Sequence, residues 1–269
     1  MTTTDHPHAA HASSHAPHGA PGPIPTGAPT GASDRPAARG VQSVKFTFFR
    51  VTDEVRRGPA SERAALGAAL TEVLGASADA MLTRVYSTVG TRAEAEFLVW
   101  QAHDDLRPIT DWHASLLQTP LAGRLAVTHS YLSMTMRSLY TNDLHAGSEQ
   151  RTRLRTDGGV DEYLFVYPMA KTREWYALPA VDRQRMMNEH IAVGHKYHGI
   201  KINTTYSYGL DDQEFVVAFE GNEPGEFLAL VRELRDSDAS RYTLFDTPMF
   251  TCRRLDLDAL AGHLGLSAG

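Results

Sequence analysis

The stretch AEFLVWQ, residues 95–101, has an echo about 118 positions further on in EFVVAFE, residues 214–220: Glu96-Phe97-Leu98-Val99 and Glu214-Phe215-Val216-Val217 are each a glutamate, a phenylalanine and two aliphatic residues. Each run reads as a strand, and each follows another short strand across a glycine-containing turn, MLTRVYST (81–88) in the first case and INTTYSY (202–208) before GLDD in the second. Working outward, VKFTFFRV (44–51) predicts a strand and 60–74 a helix. After the first pair, 106–118 predicts a helix and 126–134 a strand. The second pair sits in the same surroundings: a strand at 163–167, a helix at 178–194, a helix at 224–235 and a last strand at 244–251. The order βαββαβ therefore occurs twice, which marks a duplication at domain scale. The fold class is α+β. Two ferredoxin-like units each bury one sheet face under two helices, and pairing their remaining faces closes a barrel-like core.

The chain has 269 residues, 42% hydrophobic and 22% charged, enough for a sizeable core. A net charge of -6 leaves no basic stripe for a phosphate backbone, so nucleic acid is not expected as a partner. No run reaches the roughly 18 apolar residues of a membrane helix, and no basic-then-apolar leader is visible, so a cytoplasmic, membrane-free protein is expected. The single Cys252 excludes an intrachain disulfide and an all-cysteine metal site. Residues 1–40, rich in Ala, Gly, Pro and His, are expected to be a disordered tail. The first unit then covers 41–140, a polar connecting loop 141–160, and the second unit 161–256.

MMNEHIAVGHKYHG, residues 186–199, holds three histidines. With Pro179 at the helix start and Gly194 at its end, Met186, Met187, His190 and Val193 fall on one face. His190 thus points into the apolar side, where an imidazole needs a carbonyl, a carboxylate or a metal, because burying it unpaired costs on the order of a few kcal/mol. A satisfied core histidine is the ordinary reading of this pattern. His195 lies roughly 140° around the helix and cannot share a metal with His190, so His195 and His198 are expected to face solvent. One inward histidine is a poor zinc site but a sufficient axial anchor for heme, whose porphyrin supplies the other nitrogens. Met169, Met186 and Ile202 could wall a macrocycle, and Arg137, Lys171 and Thr247 could meet its propionates.

Five segments in order, THSYLSMTMRSLY (128–140), YPMAKTREWY (167–176), MMNEHIAVGHKYHG, KINTTYSYGLDD (201–212) and ASRYTLFDTPMFTC (239–252), closely resemble the chlorite dismutase superfamily. The likeness spans about 44–254. It implies a duplicated dimeric α+β barrel, a homopentamer, and one heme b or coproheme in the second unit. Chlorite dismutases carry a distal arginine seven positions before the glycine of the GLDD motif, and here that position is Ile202. An aliphatic side chain cannot hold an oxyanion by hydrogen bonds, so the resemblance points away from chlorite decomposition. It points instead to the HemQ-type, actinobacterial-like coproheme decarboxylases, which use hydrogen peroxide to convert two propionates of iron-coproporphyrin III to vinyls in heme biosynthesis.

On that resemblance His190 is the axial ligand of the iron and the metal-binding residue. Tyr167 is the radical-bearing catalytic residue, and His145, from the loop between the halves, is the distal base. Lys171, Arg137 and Thr247 are implied as propionate contacts. The usual Thr-Arg-Pro pattern reads Thr135-Met136-Arg137 here, a shift of one position. Met169, Trp175 and Ile202 are implied as pocket walls. A transient contact with a ferrochelatase is implied as well. The alternative on the same scaffold is another heme enzyme, peroxidase-like or a biosynthetic oxidoreductase.

Overall fold

The computed structural model describes residues 40–138, 140, 153–154 and 161–267. The predicted tail up to residue 39 and nearly all of the predicted connector, His145 included, lie outside the described residues.

The first half runs β1 (Ser43–Val51), α1 (Asp53–Arg57), α2 (Ala60–Ala80), β2 (Leu82–Ser87), β3 (Phe97–His103), α3 (Leu106–Leu116) and β4 (Leu125–Met134). The second runs β5 (Tyr163–Lys171), α4 (Arg173–Ala177), α5 (Ala180–Gly194), β6 (Lys201–Tyr206), β7 (Phe215–Gly221), α6 (Pro224–Arg235), β8 (Thr243–Phe245) and β9 (Phe250–Leu255), followed by α7 (Leu257–His263). The duplication is most exact at the start of each half. Both ends of β1 and β5, both ends of α1 and α4, and the first residues of α2 and α5 are offset by 120 positions.

Two elements depart from the sequence expectation. The last strand, expected at 244–251, is two strands: β8 pairs with β5 alone, and β9 follows after an interruption at Asp246–Met249 that contains Pro248. Proline cannot donate to a strand ladder, so the run breaks there. The second difference is α7, which has no counterpart in the other half. Leu260, Leu264 and Leu266, in and just after it, are buried against α2.

All strand pairings are antiparallel, and they run in the order β7-β6-β4-β1-β3-β2-β9-β5 with a further β5–β7 pairing that returns to the start. The ring's interior follows the two-residue alternation of each strand: Val44, Phe46 and Phe48 of β1, Trp100 of β3, Leu164 and Val166 of β5, and Phe250 of β9 are all at most 1% exposed. Phe46 stacks on Trp100 at 5.3 Å and Phe48 on Phe250 at 3.9 Å. One ion pair crosses this interior from half to half, Arg84 Nη1 to Glu220 Oε1 at 2.5 Å. Asn203 and Lys201 also reach Glu220, at 3.2 and 3.3 Å.

Candidate functional site

The helix layers over the two halves are built differently. In the first half α2 buries Leu66, Leu70 and Leu74 on the outer sheet face, α7 adds its leucines, and Val85 of β2 is 1% exposed. In the second half α5 buries only Met186 and Val193, and on β6, the strand matching β2, Ile202 is 37% exposed and Thr204 is exposed too. The first seam is filled, whereas the second is open.

The residues at matching positions explain the difference. His190 stands 120 positions after Leu70, Trp175 after Val55, Lys171 after Val51 and Tyr167 after Thr47. The first half puts aliphatic residues at three of these places, all at most 3% exposed. The second half puts an imidazole, an indole and an ammonium there.

His190 is half-buried on α5. Its Nδ1 is buried without a hydrogen-bond partner among the described residues, so neither the carbonyl nor the carboxylate of a satisfied core histidine is found at that atom among them. Desolvation, and then the nearby Lys171 ammonium, lower its pKa to about 4. At neutral pH the ring is uncharged and keeps a lone pair for a metal. That orphaned buried nitrogen, on a helix whose sheet-facing side is open, fits an axial ligand of a metalloporphyrin. Among the described residues no group of three or more His, Cys, Asp or Glu side chains is placed to hold a bare metal ion.

Lys171, at the end of β5, is 9% exposed. Its ammonium donates to the carbonyl of Ala239 at 2.7 Å and to Thr243 Oγ1 at 3.5 Å, and lies 4.9 Å from the centre of the Trp175 ring. Burial lowers its pKa to about 8. Trp175 is itself 2% exposed and meets Tyr140 edge-on at 6.2 Å and Tyr242 at 5.6 Å. Tyr167 is 8% exposed on the outer face of β5, stacked on Phe219 at 6.0 Å, and burial raises the pKa of its phenol, which keeps its proton.

Met169 packs half-buried in the same outer cluster as Tyr167 and Val193. Ile202 stands across the seam, 3.7 Å from where a Cβ on Gly194 would lie. Arg137, just after β4, and Thr247, between β8 and β9, are both exposed. The fold thus gathers His190, Lys171, Trp175, Tyr167, Met169 and Ile202 around α4, α5 and the outer sheet face, while Arg137 and Thr247 lie on its surface. As expected, His195 and His198 are exposed.

Two acidic residues of this region escaped the sequence reading. Asp246, held by Arg235 at 2.6 Å, acts electrostatically on both Tyr167 and Lys171. Glu214 accepts from the Lys171 backbone N–H at 2.8 Å and from the Tyr176 hydroxyl at 2.5 Å. Lys171, Glu214 and Tyr208 line a cavity of about 560 Å³ at the end of β5; His190, Tyr167 and Ile202 do not border it.

Comparison with known proteins places the sequence and the fold. Residues 63–255 match the family model described as chlorite dismutase. The coproheme decarboxylase of Mycolicibacterium smegmatis is 30% identical over 185 residues, covering 67% of this chain and 76% of that protein. The one from Thermus thermophilus is 33% identical over 190 residues, covering 68% and 75%. Among solved structures, a mutant chlorite dismutase from Candidatus Nitrospira defluvii superposes with a TM-score of 0.76 at 21% identity, over 84% of this chain and 96% of that one. At that identity the likeness concerns the fold. A family match over most of the sequence, on a fold of the same architecture, makes this chain a member of the chlorite dismutase family.

Proposed function

We propose that the chain is a coproheme decarboxylase, converting iron-coproporphyrin III to heme b at the expense of hydrogen peroxide. The observation that carries this reading is the unpartnered, buried nitrogen of His190 in a seam that the other half fills with leucine. The relatives' names supply the substrate class. When bound, the iron porphyrin supplies the redox chemistry that peroxide starts.

The chain's own residues do the rest. His190 holds the iron from the α5 side, and its neutrality at pH 7 means that no proton has to leave first. Lys171 has three donors, two of them engaged by Ala239 and Thr243, and the third is left for a carboxylate. Arg137 and Thr247, on the surface beside the seam, orient further propionates. Tyr167 retains its phenolic hydrogen and is buried away from bulk water, so its O–H bond is the one to be broken and remade during loss of a carboxyl group. Met169, Trp175 and Ile202 wall the macrocycle. His145 would be the base that takes a proton from peroxide. Ile202, which has no donor, gives an oxychlorine anion nothing to bind, and chlorite decomposition is therefore not proposed.

The protein acts in the cytoplasm as a homopentamer, receiving its porphyrin by transient contact with a ferrochelatase. The test is to load it anaerobically with iron-coproporphyrin III, add peroxide stepwise and follow product mass. Two carboxyl groups are lost as carbon dioxide. Unchanged substrate after several equivalents of peroxide overturns the reading.

A further inference from the structure

Beside the seam lies a run of tyrosines that the proposed reaction does not use. Tyr206, on the outer face of β6, packs against Phe215 at 5.6 Å, and Phe215 is paired in register with Met169 of β5. Tyr208, two residues on, lies 6.4 Å from Tyr206 and 5.2 Å from Phe215 by ring centres. Its hydroxyl meets that of Tyr176 at 3.1 Å, and Tyr176 in turn donates to Glu214 Oε2 at 2.5 Å. Tyr208 is 42% exposed and borders the cavity at the end of β5. From Tyr167, the strand spacing and rise place Tyr206 about 12 Å away, two strands over and two residues along.

We propose that Tyr206, Tyr208 and Tyr176 form a relay carrying single oxidising equivalents from the porphyrin seam to the surface, where a small phenol or ene-diol reductant collects them beside Tyr208. The inference rests on the peroxide-driven reading above. Tyr176 gives one electron inward, by way of the Tyr208 and Tyr206 rings, to the peroxide-oxidised site, and its phenolic proton passes to the Glu214 carboxylate. A phenol bonded to a carboxylate is the group in this run that can lose both at once, because the proton has an acceptor already in place. Tyr208 then passes its hydroxyl hydrogen atom to Tyr176, which leaves the unpaired electron at the exposed ring. The reductant returns one hydrogen atom to Tyr208, and Glu214 releases its proton to water. Two such passages use up one peroxide, which becomes two water molecules.

The experiment has two arms. Protein loaded with iron-coproporphyrin III is treated with peroxide and a nitroso spin trap, and adducts are located by peptide mass. The expected adduct is on Tyr208; Tyr208→Phe loses it while carboxyl loss continues. Carboxyl loss without a Tyr208 adduct overturns the relay and leaves the decarboxylase reading standing. In the second arm the porphyrin-free chain is oxidised by flash-generated ruthenium(III) polypyridyl, and the tyrosyl signal is followed by transient absorption. Glu214→Gln, which keeps the acceptor for the Lys171 N–H, slows the signal on the order of a hundredfold if the carboxylate takes the proton. Equal rates in the two proteins overturn the relay whatever reaction the loaded protein performs.

Discussion

Replacing His190 with leucine copies the first half of the molecule, where Leu70 occupies the matching place at 2% exposure. The effect on the porphyrin-free protein is set by the imidazole's pKa. In the unfolded chain it titrates near the ordinary 6.5, whereas in the folded chain burial and then Lys171 bring it to about 4. Between these values the unfolded state binds more protons, so this group makes folding weaker as pH falls from 6.5, and the loss is complete below about 4. At pH 4.5 the cost of the native histidine is about 2.5 kcal/mol relative to pH 7. His113, also lowered to about 4, is present in both proteins and cancels. The expected result is that urea unfolding at pH 7 shows two proteins of similar stability, with a burial gain of about 1 kcal/mol for leucine. At pH 4.5 the variant unfolds roughly 1 M later in urea. It no longer takes up iron-coproporphyrin III at either pH. If the free energies of the two proteins fall by the same amount between pH 7 and 4.5, His190 is not buried in its neutral form, and the argument for a ligand-ready imidazole fails.

Four shorter predictions follow from other contacts. Glu220→Ala takes the carboxylate away from the Arg84 guanidinium inside the ring and lowers stability by about 3 kcal/mol in denaturant titration, whereas Glu220→Leu combined with Arg84→Met recovers most of it. Tyr167→Phe binds iron-coproporphyrin III with an unchanged spectrum but releases no carbon dioxide on peroxide addition. Lys171→Met raises the His190 pKa, because a neighbouring positive charge is removed; an NMR titration of the porphyrin-free protein reads the shift. Gly67→Ala places a Cβ 1.9 Å from the Leu266 carbonyl oxygen, which must move; the thermal midpoint drops by the equivalent of roughly 1–3 kcal/mol.

The duplicated order of strands and helices was legible in the sequence because both the two-residue and the helical periods are strong in each half. The split of the last strand was less visible. Apolar residues flank the break on both sides, at Leu244–Phe245 and Met249–Phe250, and only the short Asp246-Thr247-Pro248 run between them signals that the ladder is broken. The helix α7 was missed because its burial depends on α2, nearly 200 positions earlier, and no repeat partner announces it. At the site, spacing placed His190 on the inner face but could not say whether a partner waited there, since that depends on which side chains come from β5 and α4. Lys171 was legible as a propionate contact only through the resemblance; its burial depends on the Ala239 carbonyl, remote in sequence, and on the Trp175 ring. Superposing the halves at 120 positions would have singled out His190, Trp175 and Lys171 as the places where the second copy abandons a buried aliphatic residue.

The position of β9 bears on how the chain reaches this state. It pairs with β2 through Val85–Leu255, Tyr86–Arg254 and Ser87–Arg253, and with β5 on its other side. Until residues 250–255 are available, β2 has an unpaired edge and the ring stays open, although every other strand of the first half is already made. A chain growing from its N-terminus at roughly 5–20 residues per second therefore carries an exposed strand edge through the synthesis of the whole second half. Closure across so long a sequence separation is slow. Truncation after β7 leaves that edge permanently unpaired, a template for association with other chains.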